Sequence, residues 1–384
     1  MAVDAYRGFV MFLMMAEILR LSGLAAKYPD NAIWRQVGFH TQHVAWTGCS
    51  LHDMIQPSFS FLVGVALPFS IAARIARGQS FPVMFGHAVW RSLLLIGLGI
   101  FLRSTHNSRT NFTFEDTLTQ IGLGYTFLFL LGFRSVKVQA GACALILVGY
   151  WAAFALYPLP GPDFNFAAIH MSKSWPPELT GFAQHWAKNT NLAWRVDQWF
   201  LNLFPRSDPF VFNGGGYATL SFIPTLGTMI LGLIAGGWLR APVSSGAKLI
   251  RLIVAGAGCL AAGWLLDRLG ICPNVKRIWT PAWTLYSGGW CFLFLAGFYS
   301  VIEALGLKAW AFPLVVIGIN SIAIYCLVHL IDGFIISSLK THLGRDIFKV
   351  FGETYEQLLT GAATLLVFWL ILYWMYRRKI FLRI

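Results

Sequence analysis

Fourteen residues of this chain, His40 to Asp53, contain three histidines and an aspartate: His40, His43, His52 and Asp53. A neutral imidazole near pH 7 is suited to take a proton from an amine or a hydroxyl. A carboxylate beside it can fix its tautomer and stabilise its cation. His43 stands in H-V-A-W-T-G, and Asp53 follows ten residues later at the head of an apolar run. The connecting loop is long enough to fold His43 back over Asp53, which makes the pair a candidate general base and its partner. A solitary outer histidine more often caps a helix or faces water, and from these residues alone both readings stay open. The four side chains could ligate zinc by type, but their spacing fits no common zinc pattern and no metal is expected.

These residues must be positioned by apolar elements. Hydrophobic residues make up 57% of the 384 and charged residues 12%, with a mean hydropathy of +0.62. A soluble chain of this length would suggest two or three domains, yet a soluble surface needs about twice that charge. The expected fold is therefore all-α, a polytopic integral membrane helix bundle. It is read as one transmembrane domain over 1–384, with outer loops at 27–53 and 159–216. A span needs about 20 apolar residues. Ten candidates occur, at 7–26, 54–76, 87–103, 117–133, 138–158, 217–239, 248–267, 282–305, 310–331 and 357–376.

The net charge of +13 is scattered along short loops rather than clustered, so a cytoplasmic excess of Lys and Arg explains it better than nucleic acid. With both termini in the cytoplasm, the inner side carries Arg74, Arg77, Arg91, Arg134, Lys137, Arg240, Lys248, Arg251, Lys308, Arg377, Arg378, Lys379 and Arg383. Loops 27–53, 104–116, 159–216, 268–281 and 332–356 then face outward. Arg7 directly precedes the first span, which lacks a small-residue cleavage site, so no cleavable leader is expected. Without a G-x-x-x-x-G-K-[ST] loop, an ATP-driven pump is disfavoured. Cys143, Cys259, Cys291 and Cys326 lie in apolar runs as packing residues. Pairing of Cys49 with Cys272, both placed in outer loops, stays open.

Other polar residues interrupt the apolar stretches. Glu17 and Arg20 lie in the first, and are expected to pair or to face a cavity. Gln120, Asn320, Tyr325, and His329 with Asp332 lie in or beside others. Each alone is helix-to-helix glue; together they suggest a polar pathway. On the inner side Arg74, Arg77, His87 and Arg91 could hold a nucleotide's phosphates or anchor the bundle at the interface. The long outer loop carries Trp175, Trp186, Trp194 and Trp199, suited either to stacking on sugar rings or to an interfacial belt.

The ordered segments D-A-Y-R-G at 4–8, H-V-A-W-T-G at 43–48, D-M-I-Q-P-S-F-S-F-L-V-G at 53–64 and L-T-Q-I-G-L-G-Y at 118–125 resemble the heparan-alpha-glucosaminide N-acetyltransferase family. So do N-L-A-W-R-V-D at 191–197, I-P-T-L-G-T at 223–228, K-R-I-W-T-P-A-W at 276–283 and G-I-N-S-I-A-I-Y at 318–325. The resemblance implies a transmembrane acyltransferase that takes acetyl-CoA from the cytoplasmic side and acetylates a glucosamine amine on the opposite side. The family's catalytic histidine matches His43, and the aspartate and proline after it match Asp53 and Pro57. The animal members' asparagine late in the first span falls near Glu17 or Ile18, where this chain has none. Candidate CoA contacts are Arg74, Arg77, His87, Arg91, Gln120, Asn320 and Tyr325. Candidate acceptor contacts are Glu17, His40, Trp46, Asn191, Asp197 and Trp279.

His43 would either deprotonate the acceptor for direct attack, the favoured route, or carry the acetyl group transiently. Expected partners are coenzyme A, an amino-sugar or glycan acceptor and the lipid bilayer, with a homodimer left open and nucleic acid not expected. The expected location is a bacterial inner membrane. Two alternatives remain: O-acyl transfer to surface glycans or lipids, and a glycan transporter without covalent chemistry, although the inverted repeat expected of a transporter is not visible.

Overall fold

The computed structural model describes residues 1–171 and 179–382; Trp175 and Arg383 lie outside them. Helices dominate, and among the described residues no strand forms beyond one isolated bridge between Thr47 and Val275. In chain order the helices are α1 (Ala2–Met15), α2 (Leu21–Ala25), α3 (Ala32–His40), α4 (Ile55–Ala76), α5 (Phe81–Ser104), α6 (Thr117–Leu131) and α7 (Val136–Ala155). Then follow α8 (Leu192–Phe200), α9 (Phe222–Arg240), α10 (Ser245–Arg268), α11 (Pro281–Tyr299), α12 (Phe312–Ile319), α13 (Ser321–Leu343) and α14 (Glu356–Arg377).

Starts are set by local chemistry. Asn31, Asp116, Asn191 and Ser244 cap α3, α6, α8 and α10 by accepting first-turn N–H groups, which satisfies donors that a helix leaves unpaired. Pro82 and Pro313 stand in the first turns of α5 and α12, where a missing N–H costs nothing.

Among the described residues, eight helices are long and apolar enough to cross a membrane. Large side chains such as Leu145, Val148, Ile250, Val254 and Phe334 project outward from them, a surface that hydrocarbon accepts and water does not. The chain is an integral, multi-pass membrane protein. Three expected stretches are corrected. The first candidate span, 7–26, is broken: α1 has 14 residues, about 21 Å at 1.5 Å per residue, and is followed by a tight 3-10 turn at Ala16–Leu19. Arg20 then adopts a left-handed conformation (φ 47, ψ 45), which ends a helix. Asn320 divides the stretch 310–331 into α12 and α13. The expected outer loop 332–356 shortens because α13 continues to Leu343.

Contacts group the chain into two compact units. The first comprises 1–45, 49–55 and 294–384. In it α1 lies against α12 with backbone touching backbone: a Cβ on Gly8 would strike the Leu314 carbonyl, and one on Gly318 the Asp4 carbonyl. Tyr6 stacks on Phe298 at 5.4 Å. Buried Asn320 donates from Nδ2 to Ile380 O (3.0 Å) and accepts Leu382 N–H at Oδ1 (3.1 Å), fastening the C-terminal strand of chain to the break.

The second unit comprises 46–48 and 56–293. Its central helix, α9, is the most buried of the long helices. Small residues let α4 approach it: a Cβ on Gly64 would meet Met229 O, one on Gly232 Phe61 O, and one on Gly236 Val65 O. Gly232 and Gly236 form a G-x-x-x-G pair, the spacing that permits close helix contact where no hydrophobic drive separates lipid from protein. A buried core cluster in this unit comprises, among others, Trp46, Phe154, Trp186, Cys272, Val275 and Ile278. All six cysteines are free thiols.

Asp197 ties α8 into this unit by accepting Thr219 N–H at Oδ2 (2.9 Å). Its Oδ1 has no hydrogen-bond partner. Burial pushes the carboxyl up to about 7, against the pull of the Thr219 N–H.

Two outcomes are expected. Gly232→Val should cost about 3 kcal/mol or more through overpacking and lower the unfolding temperature in detergent. Gly237→Ala, whose added Cβ meets no atom within 4 Å, should leave that temperature unchanged or raise it. An equal effect of both would remove the close-approach explanation. For Asp197 the folded state holds the proton more tightly than the unfolded chain, whose value is near the ordinary 3.8. Its stabilising contribution is therefore full at low pH and is lost as pH rises from about 4 to about 7. Asp197→Asn should flatten the unfolding temperature across that window; an unaltered slope would refute the assignment.

Candidate active site

The loop between α3 and α4 builds a closed polar cluster inside the first unit. Asn31 starts α3, and Thr41 ends it by donating from Oγ1 to Val37 O (2.7 Å). The chain then turns back, so that His43 reaches Asp53. His43 Nδ1 lies 2.8 Å from Asp53 Oδ1. Asp53 Oδ2 accepts the N–H groups of Val44 (3.2 Å) and Ser50 (3.1 Å). Ser50 Oγ sits 2.6 Å from Gln42 O and 3.0 Å from Asp53 Oδ2, and accepts the Asp53 N–H at 3.2 Å.

Asp53 is 1% exposed. Burying an uncompensated carboxylate costs several kcal/mol. Hydrogen bonds to a charged acceptor return about 1.5–3 kcal/mol each, so the Val44 and Ser50 N–H groups aimed at it offset much of that cost. Because an ionised carboxylate only accepts, the proton in the contact to His43 belongs to Nδ1. That fixes the tautomer and leaves Nε2 as the basic nitrogen. His43 itself is 38% exposed at its side chain, so the base is reachable while its partner is not.

A second histidine–carboxylate contact adjoins the first. His52 Nε2 lies 3.3 Å from Glu17 Oε1, and the His43 and His52 rings stand 4.4 Å apart, tilted by 50°. Glu17 comes from the 3-10 turn that breaks the first apolar stretch. The break therefore serves to bring an acid to this cluster. His40 holds the loop differently, accepting Leu51 N–H at Nδ1 (3.2 Å). Among the described residues no three His, Cys, Asp or Glu side chains are grouped to hold a metal ion.

The remaining candidates have these places. Trp46 is buried and donates from Nε1 to Trp186 O (3.1 Å). Trp279, also buried, donates to Thr228 Oγ1 (3.1 Å) with a left-handed backbone (φ 48). Asn191 caps α8 and bonds Ala187 O (2.7 Å), and Asp197 anchors the same helix. These four belong to the second unit, where their side chains are enclosed by protein. Trp186 is likewise 0% exposed, whereas Trp199 is exposed.

Of the basic candidates, Arg74 donates to Gln79 Oε1 (3.1 Å), and Arg77 and His87 are exposed. Arg91 donates to Tyr125 OH (3.1 Å) with its guanidinium 4.6 Å from the ring centre, and its Nε has no partner. Gln120 is fully buried and donates to Phe114 O (2.6 Å) and Thr219 O (3.1 Å). Asn320 holds the tail, and Tyr325 stacks on His329 at 4.6 Å.

One site residue, Ser50, and one contact, between Glu17 and His52, escaped the sequence reading. Ser50 carried a signal: it stands three residues before Asp53, a spacing at which a hydroxyl meets backbone and side chain around a turn. The Glu17–His52 contact carried none, since no local spacing links residues so distant in the chain.

The chain matches no protein-family model. It is similar to heparan-alpha-glucosaminide N-acetyltransferase of Homo sapiens, 22% identical over 434 residues, with all of this chain and 59% of that protein covered. It is also similar to heparan-alpha-glucosaminide N-acetyltransferase of Mus musculus, 24% identical over 183 residues, covering 46% of this chain and 23% of that protein. The chain thus spans less than two thirds of the length of these curated relatives. The resemblance drawn from the ordered motifs is supported by both similarities, and the first of them runs through the whole chain.

Proposed function

We propose that the chain is a membrane-embedded acetyltransferase that moves an acetyl group from acetyl-CoA to the amine of a glucosamine-type sugar, with His43 as general base. The observation that carries this reading is the 2.8 Å contact between His43 Nδ1 and a fully buried Asp53. It is the arrangement that orients an imidazole, fixes its tautomer and stabilises its cation. The similarity to the human and mouse N-acetyltransferases supports the choice of amine and thioester.

In the proposed reaction the amine nitrogen attacks the thioester carbonyl and the C–N bond forms. His43 Nε2 takes the nitrogen's proton and passes it to the departing sulfur as the C–S bond breaks. Asp53 neutralises the imidazolium in between. The acceptor meets His43 on the outer side, and CoA enters from the cytoplasm, with both termini cytoplasmic in a bacterial inner membrane. Arg74, Arg77, His87 and Arg91 are the groups we assign to the CoA phosphates, where guanidinium forks suit bidentate contact. The exposure of Arg77 and His87 and the unpartnered Nε of Arg91 support that assignment.

His43→Ala should reduce acetyl transfer by at least about a thousandfold in the purified protein, given what general base catalysis contributes, with CoA binding retained. Asp53→Asn should also lose most of the rate, because the amide no longer secures the Nδ1–H tautomer. Turnover of His43→Ala within tenfold of the unsubstituted protein would end the assignment. The product's resistance to mild alkali would mark an amide rather than an ester and exclude O-acyl transfer.

Arg77→Ala and Arg91→Ala should each weaken CoA binding by roughly tenfold, the scale of one charge-assisted hydrogen bond, measured by calorimetry in detergent. Unchanged affinity in both would move the phosphate site elsewhere.

A further inference from the structure

We propose that His52 and Glu17 form a second proton-handling pair, which strips the acceptor ammonium of its first proton and delivers it to water. The inference rests on the acetyltransferase reading and adds to it a role for two residues outside the His43–Asp53 pair.

Proton balance requires two separate transfers. An amino sugar reaches the enzyme largely as an ammonium ion, which has no lone pair to attack with. Overall, ammonium and thioester yield amide, thiol and one free proton. One proton must therefore leave the nitrogen before the C–N bond forms and go to solvent. The other leaves the nitrogen after attack and ends on sulfur. A single imidazole can do both in one turnover only by discharging in between, and the buried Asp53 behind His43 offers no onward path for that proton, whereas a second pair beside the ring does.

The second pair has the opposite character. His52 Nε2 lies 3.3 Å from Glu17 Oε1, and the Glu17 side chain is 56% exposed while that of His52 is 11% exposed. A proton on His52 thus has a carboxylate to move to, and that carboxylate is open at the protein surface. The two rings are 4.4 Å apart, so protonating both would place like charges in near contact, which each disfavours in the other. Two positive charges at once on the pair of rings are therefore disfavoured. His52 must be cleared through Glu17 before His43 can take the second proton. Glu17 and His43 are titratable groups in contact with His52, and Asp53 stands behind His43.

The chain also gives an independent reason for Glu17 to be where it is. The apolar stretch at 7–26 forfeits a continuous helix there, with a 3-10 turn at Ala16–Leu19 and a left-handed Arg20. A helix break inside a membrane protein is costly unless the freed groups have a use.

The test compares His52→Gln and Glu17→Gln with the unsubstituted protein across pH, using glucosamine-terminated acceptor and acetyl-CoA. At about pH 6, where amines are ammonium ions, each variant should lose at least tenfold in kcat/KM. At about pH 9, where the acceptor arrives neutral, the loss should fall below threefold. Glu17→Asp should recover part of the low-pH rate. A loss equal at every pH, or none at either, would overturn the relay. Should His52→Gln fail to fold, Glu17→Gln carries the same comparison, since its site is largely exposed.

A second readout needs no substrate: nitrogen-15 spectra of the histidine rings in detergent. His43 should titrate in two coupled steps, collapsing to one in His52→Gln. A one-step titration unchanged by the substitution would refute the coupling. If the unsubstituted protein acetylates no amino sugar at any pH, the underlying function falls instead, and the ring titration alone decides whether the two histidines share a proton.

Discussion

The site depends on keeping one carboxylate out of water and fully bonded. Asp53 sits at the entry to a membrane-length helix with its oxygens facing His43, two backbone N–H groups and a serine hydroxyl. The contact from Ser50 Oγ to Gln42 O closes the loop around the carboxylate. The loop from Thr41 to Asp53 is therefore shaped as much by the need to satisfy Asp53 as by any need to present His43.

Polar residues in the first unit act by ending helices rather than by crossing them. Arg20 and Asn320 each stop a stretch that hydropathy alone would run through. At the second stop the Asn320 side-chain amide bonds the backbone of Ile380 and Leu382. The stop near Arg20 brings Glu17 beside His52. In both places the chain gives up helix continuity and gains a fixed polar contact.

The second unit is assembled by the opposite device, absence of side chains. Gly64, Gly232 and Gly236 let α4 and α9 meet backbone to backbone, a contact driven by van der Waals packing because lipid competes poorly for surfaces that fit. In the same unit the indoles of Trp46, Trp186 and Trp279 are buried, and those of Trp46 and Trp279 donate to a carbonyl and a hydroxyl oxygen. Among these, Trp186 keeps an unbonded Nε1 while its carbonyl serves Trp46. Trp186, offered by composition as a sugar platform, is here a wall of the unit, whereas Trp199 is exposed.

Composition determined the class of this protein. An apolar content of 57% with 12% charge admits little but a helical membrane bundle, because only helices or closed barrels satisfy backbone groups in hydrocarbon. The nearness of His43 to Asp53 was also legible, since ten residues of loop limit how far apart the two can be. Helix continuity was not: hydropathy averages over a window, and a single Arg20 or Asn320 disappears in the mean although it sets the backbone's path. Which residues lie under protein rather than under solvent or lipid was equally hidden, because Trp46 and Trp199 read alike as letters. The meeting of Glu17 with His52 belonged to tertiary structure alone, since a contact between distant segments depends on how the intervening chain packs and leaves no periodic trace in the sequence.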